Sequence, residues 1–320
     1  MSWEPIGGGG VIVEAEGPLG VRGGSSTVAS LSTARQLLAA AEAGGLVYAI
    51  GGFDGDNTLT SVEEYDPETD TWSTVASLST ARQFLAAAEA GGLVYAIGGR
   101  DSGDNQLASV EEYDPETDTW STVASLSTAR QSPAAAEAGG LVYAIGGVDS
   151  NFNRLASVEE YDPETDTWST VSSLSTGRES FGAAEAGGLV YAIGGDDGSN
   201  TLASVEEYDP ETGTWSTVES LPTARRYLAA AEAGGLVYAI GGFDSDGSEL
   251  TSVEELAFES FADVYSATGD TLFGINDPNG TLLNRTTGRE ITGDSLIARD
   301  GETIAVITET NARVYRTEET

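Results

Sequence analysis

The chain contains no cysteine, no histidine and no lysine among its 320 residues. Without cysteine there is no disulfide, no thiol nucleophile and no thiolate metal site, and without histidine there is no imidazole ligand or base. All 14 basic residues are arginine, set against 52 Asp and Glu, which leaves a formal net charge of −38. An excess of that size repels phosphate backbones and argues against nucleic acid as a partner. The missing lysine also removes the Walker type of phosphate loop. No apolar run approaches the roughly 20 residues of a membrane-spanning helix. The opening residues, Met1-Ser2-Trp3-Glu4-Pro5, carry neither a basic stretch nor an apolar core, so no signal peptide is expected.

What remains is acidic yet built to pack. A charge of −38 on 320 residues points to molar salt, where the Debye length falls to about 3 Å and self-repulsion is screened. Disorder is the other home of acidic chains, but 39% apolar residues and 12 tyrosines at regular positions supply a core.

Those regular positions are repeats. The segment Gly-Gly-Leu-Val-Tyr-Ala-Ile-Gly-Gly occurs five times, with final glycine pairs at Gly51-Gly52, Gly98-Gly99, Gly146-Gly147, Gly194-Gly195 and Gly241-Gly242, 47 or 48 residues apart. After each of the first four pairs comes a polar loop, then a Tyr and, with six residues between them, a Trp: Tyr65 and Trp72, Tyr113 and Trp120, Tyr161 and Trp168, Tyr208 and Trp215. Each unit reads as four short strands, Arg35 to Glu42, Leu46 to Ile50, Ser61 to Tyr65 and Trp72 to Ala76 in the first copy. Runs of alanine suit the innermost strand, where radial sheets crowd, while Tyr and Trp fill the wider space between sheets. Glu42-Ala43-Gly44-Gly45 and Asp66-Pro67-Glu68-Thr69 read as the turns at the far end of each unit.

This pattern resembles the Kelch repeat from about residue 26 to 256, and the resemblance implies an all-β propeller. We expect six four-stranded blades: five Kelch-like blades over about 34–259 and a degenerate closing blade over 260–320, with five or seven blades as the alternatives. In the fifth copy Leu256 replaces the Tyr and Asp263 the Trp, after which segments such as Thr271 to Ile275 and Thr303 to Thr308 alternate as strands do. The segment Ser26 to Leu31 matches an outer strand with no blade before it, and the resemblance implies that it closes the ring by completing the last blade. Residues 1–24, with a glycine run at Gly7 to Gly10, are read as an arm outside a propeller of 25–320.

Near-identical copies make their differences informative. The variation lies in two places. One is the loop after each glycine pair: Phe53 to Asn57, Arg100 to Gln106, Val148 to Arg154, Asp196 to Asn200, and Phe243 to Gly247. The other follows the recurrent arginine: Gln36-Leu37-Leu38, Gln83-Phe84-Leu85, Gln131-Ser132-Pro133, Glu179-Ser180-Phe181 and Arg226-Tyr227-Leu228. In a four-stranded blade both sit on one side, while the opposite turns hardly change. A recognition surface on a rigid scaffold would look like this; tolerant loop drift is the plainer alternative.

The candidate ligand-binding residues are Arg35, Arg82, Arg130, Arg178 and Arg225, which recur once per blade, together with Phe53, Arg100, Phe152, Arg154, Tyr227 and Phe243. In the Kelch adaptor domains of ubiquitin ligases, which the repeats resemble, arginines at this blade position contact acidic peptides. The resemblance therefore implies that the five line the channel mouth and take an anionic ligand, as guanidinium geometry allows. Internal pairing with Glu or Asp is the structural alternative. Galactose oxidase, a Kelch-containing enzyme, needs Cys and His for its copper, and both are absent. Sialidases share the propeller shape and use arginines, a Tyr and an Asp, but no sialidase motif is present. Catalysis is not expected. No cofactor is expected either; calcium is a candidate at loops such as Asp244-Ser245-Asp246-Gly247, though none has EF-hand spacing. Asn279-Gly280-Thr281 and Asn284-Arg285-Thr286 are glycosylation sequons.

Two functions fit. One is a display protein on a virion or surface appendage in a high-salt environment, recognising a protein or surface glycan, with 1–24 and 260–320 contacting its assembly neighbours. The other is an intracellular interaction scaffold in a halophile cytoplasm.

Overall fold

The computed structural model describes residues 27–233 and 235–256 with their side chains, and beyond them the backbone of seven strands between 264 and 316. The chain divides into two compact units, Met1–Glu255 and Leu256–Thr320. All regular structure among the described residues is β, and no helix there is long and apolar enough to cross a membrane.

The first unit holds five Kelch-like blades in a propeller arrangement. In blade 1 the inner strand is Ala39–Ala43, followed outward by Leu46–Ile50, Val62–Asp66 and Thr71–Val75, all antiparallel to their neighbours. Blades 2, 3 and 4 repeat this four-stranded order, and blade 5 has three strands, Ala229–Ala233, Leu236–Ile240 and Val253–Leu256. Inner strands touch from each blade to the next. The inner strand begins at Ala39 rather than at Arg35, because Leu37 stands at φ 58°, outside the extended range a strand requires.

The turns follow from their residues. Ala43 pairs with Leu46 across Gly44 and Gly45, both at positive φ, as a two-residue hairpin of this type demands. The pair Gly51-Gly52 has a second reason to be glycine. A Cβ on Gly51 would lie 2.6 Å from the Arg82 carbonyl of the next blade, and one on Gly52 would lie 2.7 Å from the Gln36 carbonyl.

Aromatic rings fill the gaps between blades. Tyr48 of blade 1 meets Tyr113 of blade 2 edge to face at 5.4 Å, and Tyr113 lies 5.1 Å from Trp120. The Trp120 indole N–H then donates back to the Ala76 carbonyl, so one aromatic stack sews two blades together. Asp118 adds a hook, accepting from the Tyr113 hydroxyl and from the Ala76 N–H. Ala29 makes the same two bonds, to Asp70 and from Trp72. Residues 27–31 therefore take the place of a link leaving an outer strand, although they join no ladder among the described residues.

The ends of the array differ from its middle. Val62, Val110, Val158 and Val205 are fully buried, while the equivalent Val253 in the three-stranded blade 5 is 57% exposed. The inner strands of blades 2 to 4 are mostly buried, whereas that of blade 5 is exposed along most of its length.

The second unit forms two antiparallel sheets, one of four strands from Val264 to Ile291 and one of three strands from Leu296 to Arg316. Thr271–Ile275 and Thr303–Thr308 are strands as expected. The expected closing blade includes many residues that lie outside those described, as do the arm at 1–24, the sequon at 279–281 and all of the second sequon but Asn284, the last residue of a strand.

Candidate functional site

The five recurrent arginines are not at an open mouth. The side chains of Arg35, Arg82, Arg130, Arg178 and Arg225 are completely buried, each paired with a glutamate on the third strand of its own blade: Glu63, Glu111, Glu159, Glu206 and Glu254. In blade 3, Arg130 Nη2 lies 2.5 Å from Glu159, while Nη1 donates to the carbonyls of Gly146 and Ser157. The other glutamate oxygen accepts the Ser127 N–H of the incoming link. The backbone of the same arginine faces the other way. Arg130 N–H donates to Leu107 of blade 2, and its carbonyl accepts from Gly99. Each interior arginine is thus a peg, zipped by its backbone to one blade and driven by its side chain into the next.

Burial pushes Arg82, Arg130 and Arg178 below the ordinary guanidinium value, against the pull of their glutamates. Glu63 is moved down instead. Desolvation raises it, but the Ser32 N–H and Arg35 outweigh that and hold its carboxyl below the usual range. The expectation that the five arginines meet a ligand is therefore corrected: their guanidinium groups are occupied and out of reach. The two remaining candidate arginines, Arg100 and Arg154, share the loop-bearing side with Arg226 and with all four candidate aromatics.

Each blade joins its two variable segments by isolated bridges, Gln36 to Phe53, Gln83 to Arg100, Gln131 to Val148, Glu179 to Asp196 and Arg226 to Phe243. Both segments stand at the end of the sheet where Ile50 pairs with Ala39 and Val62, opposite the constant turns. Between blades the backbone continues the row, Phe84 N–H donating to Leu37 and Ser132 N–H to Phe84, and farther round Tyr227 N–H donating to Ser180. These positions hold Leu37, Phe84, Ser132, Ser180 and Tyr227, all at φ between 50° and 58°. Left-handed backbone in bulky residues costs about 1–3 kcal/mol each and persists only where surroundings enforce it. Here it lifts the most variable side chain of each blade onto the surface row.

The side chains on this row are uneven. Phe152, also at φ 62°, is 67% exposed, and Tyr227 is 57% exposed. Tyr227 packs edge to face on Phe243 at 6.1 Å, with Arg226 5.9 Å from its ring. Arg100 covers Phe84 at 5.1 Å, and Phe53 is half-buried. Across blades 3 to 5 runs a chain of charge that was not singled out in the sequence: Arg154 pairs with Glu179 at 2.5 Å, Glu179 neighbours Asp196, and Asp196 pairs with Arg226 at 3.0 Å. Desolvation raises the Glu179 carboxyl most, Asp196 adds to this, and the two arginines oppose it. The signal available was its departure from the Gln of the first three copies.

An open cleft of about 520 Å³ lies between the loops of blades 3 and 4, lined by Phe152, Asn153, Arg154, Asp197, Ser199 and Asn200 among others. Its floor depends on Gly177, which replaces the alanine found in the other four copies. A Cβ there would collide with the Arg154 carbonyl. The loop carboxylates are committed to their own turns, as when Asp244 accepts from Asp246 and Ser248 and Asp197 from Ser199 and Asn200. Among the described residues no three carboxylates are grouped to hold a metal ion.

Comparisons with known proteins match this architecture. The Kelch motif family fits the chain at residues 34–79, 81–127, 129–175, 177–222 and 224–256. A solved structure described as that of YjhT is similar with a TM-score of 0.67, covering 73% of this chain and 85% of that one at 16% identity. At such identity the likeness is one of fold. No curated protein sequence is significantly similar.

Proposed function

The chain belongs to the Kelch-motif family, and from that premise we propose that it is a non-enzymatic binding protein, which recognises a protein or glycan on the side bearing its variable loops. One observation carries this reading. Ten segments that vary between copies are bridged in pairs onto one side of the blades, while the turns opposite them are almost constant. Tolerant drift would have loosened both sides alike. Burial of the five arginines favours binding over sialidase-like chemistry, since a substrate carboxylate would have to displace a glutamate to reach them.

The setting we favour is display on a virion or surface appendage in a high-salt environment, with an intracellular scaffold as the alternative. The test is binding of the intact protein to a panel of surface glycans and envelope proteins in molar salt, beside a variant carrying Phe152→Ala, Arg154→Ala and Tyr227→Ala. Phe152 and Tyr227 are exposed and Arg154 about a third so, and the variant should lose no more than about 1 kcal/mol of stability. Loss of binding in the variant supports the reading. Binding that persists unchanged moves recognition elsewhere, and a wild-type protein that captures none of the panel turns the question to the scaffold. Melting should also fall between molar and about 0.1 M salt, as the Debye length grows from roughly 3 to 10 Å; a rise would refute the high-salt assignment.

A further inference from the structure

We infer that the cleft between blades 3 and 4 is a subsite for a neutral saccharide, with Phe152 as the stacking platform. The inference rests on the binding reading above and narrows it to one place and one ligand chemistry.

The place is marked by where the copies depart from one another. Blade 4 alone has Gly177 for Ala, Gly182 for Ala, and Glu179 and Phe181 in the segment between. Gly177 admits the Arg154 and Leu155 backbone at a distance no side chain would allow, and Gly182 admits the Cβ of Ala230 in blade 5. The loop of blade 3 thus rests directly on Gly177 of blade 4, at the one junction where that position is glycine. The result is a cleft of about 520 Å³, within the roughly 300–1,000 Å³ of small-molecule sites. Phe152 stands over it, held at φ 62° with two thirds of its surface in water. That arrangement costs apolar exposure and backbone strain, and stacking against a ligand would recover the first.

The ligand chemistry follows from which groups are free. Asn153 donates through Nδ2 to Asp149, and Asn200 through Nδ2 to Asp197, so each amide is fixed with its carbonyl oxygen left to accept. Ser199 and Thr176, which carry hydroxyls, also line the cleft. Arg154 is the one cation there, and it is spent: Nη2 on Glu179, Nη1 on the Phe152 carbonyl. Its Nε is buried without a hydrogen-bond partner. A set of acceptors and hydroxyls beside an exposed ring suits a ligand that brings its own O–H donors and an apolar face. An anion would meet Asp197, a neutralised arginine and a chain of net charge −38. A neutral sugar meets none of these obstacles, and hydrogen bonds and stacking survive the salt that screens charge.

The experiment is calorimetric titration of the full chain in molar KCl with maltotriose, cellotriose, mannotriose and chitotriose, and with sialyllactose as the anionic arm. At least one neutral trisaccharide should bind, Phe152→Ala should weaken it by about tenfold or more, Phe152→Tyr should restore it, and Glu164→Ala, on the exposed constant turn at the opposite end of blade 3, should leave it unchanged. Preference for sialyllactose, no binding of any neutral sugar, or indifference to Phe152→Ala would each overturn the inference. An envelope protein that still binds, and is lost with Tyr227→Ala while Phe152→Ala does nothing, leaves the face reading standing and removes the sugar. If neither substitution touches the binding of any probe, both readings fall.

Discussion

Arg130 and Arg154 belong to the same blade and stand at the same end of its sheet, yet they have opposite fates. Arg130 recurs in every copy, is fully buried, and joins Glu159 in the blade interior. Arg154 occurs in one copy, is about a third exposed, and reaches over to Glu179 of the next blade. The difference teaches that repetition and function part company within a repeat protein. A residue present in all five blades answers a need all five share, which is to hold neighbours together. A residue present once answers something that happens in one place.

The comparison is sharpest in stability. Arg130→Ala strands Glu159 in the interior without its cation, and we expect a loss of about 3–5 kcal/mol, a large share of the roughly 5–15 kcal/mol that holds a domain folded. Replacing both partners by apolar residues should not restore it, because the Ser127 and Thr128 N–H groups would lose their acceptor. Arg154→Ala removes a pair whose arginine is about a third exposed and leaves Glu179 within the field of Arg226, and should cost about 1 kcal/mol. Chemical denaturation of both variants in molar salt decides the matter. Equal losses would mean that the surface pair is as structural as the peg.

That pairing was readable before any coordinates. The glycine pairs, the Tyr and Trp spacing and the alanine runs gave blades, turns and strand order, because each is a local demand of backbone or packing. The arginines misled because recurrence says nothing of direction: a side chain at a blade mouth can turn outward to solvent or back into its own sheet. Yet the third strand carries a recurrent glutamate, Glu63 through Glu254, in the same number as the arginines. A recurrent cation matched by a recurrent anion is the mark of an internal pair, while positions that read a ligand should differ from copy to copy. Phe152 and Tyr227 fit that second rule and are exposed. The cleft itself was hidden, because Gly177 matters only through the carbonyl that approaches it from a loop 23 positions earlier, at Arg154.

Gly177 offers the next break. Its value is space, so Gly177→Ala should cost about 1–3 kcal/mol as the blade 3 loop is pushed away, and should deform the cleft with it. The reverse exchange at the ordinary junction, Ala129→Gly, only adds backbone freedom and should cost about 0.5–1 kcal/mol. Thermal melting gives both numbers. If the two exchanges cost the same, the junction of blades 3 and 4 is not specially built.

The smallest effect lies in acid, where the peg and the cleft should slope in opposite directions. Glu63 has its folded pKa below the unfolded value near 4.3. Its contribution is therefore complete above that value and is lost as pH falls through the lower, folded pKa, when the bond to Arg35 loses its anion. Glu179 is raised, by desolvation first and by Asp196 second. Its neutral form is the better accommodated one, so its contribution is complete below the unfolded value and is lost as pH climbs through the higher, folded pKa. Glu63→Gln should flatten the acid limb of the melting curve between neutrality and about pH 3. Glu179→Gln should raise stability at neutral pH relative to acid, because an amide keeps an acceptor for Arg154 without the buried charge. If both variants changed the acid limb in the same direction, the charge chain across blades 3 to 5 would be another peg, and the contrast between Arg130 and Arg154 would be one of exposure alone.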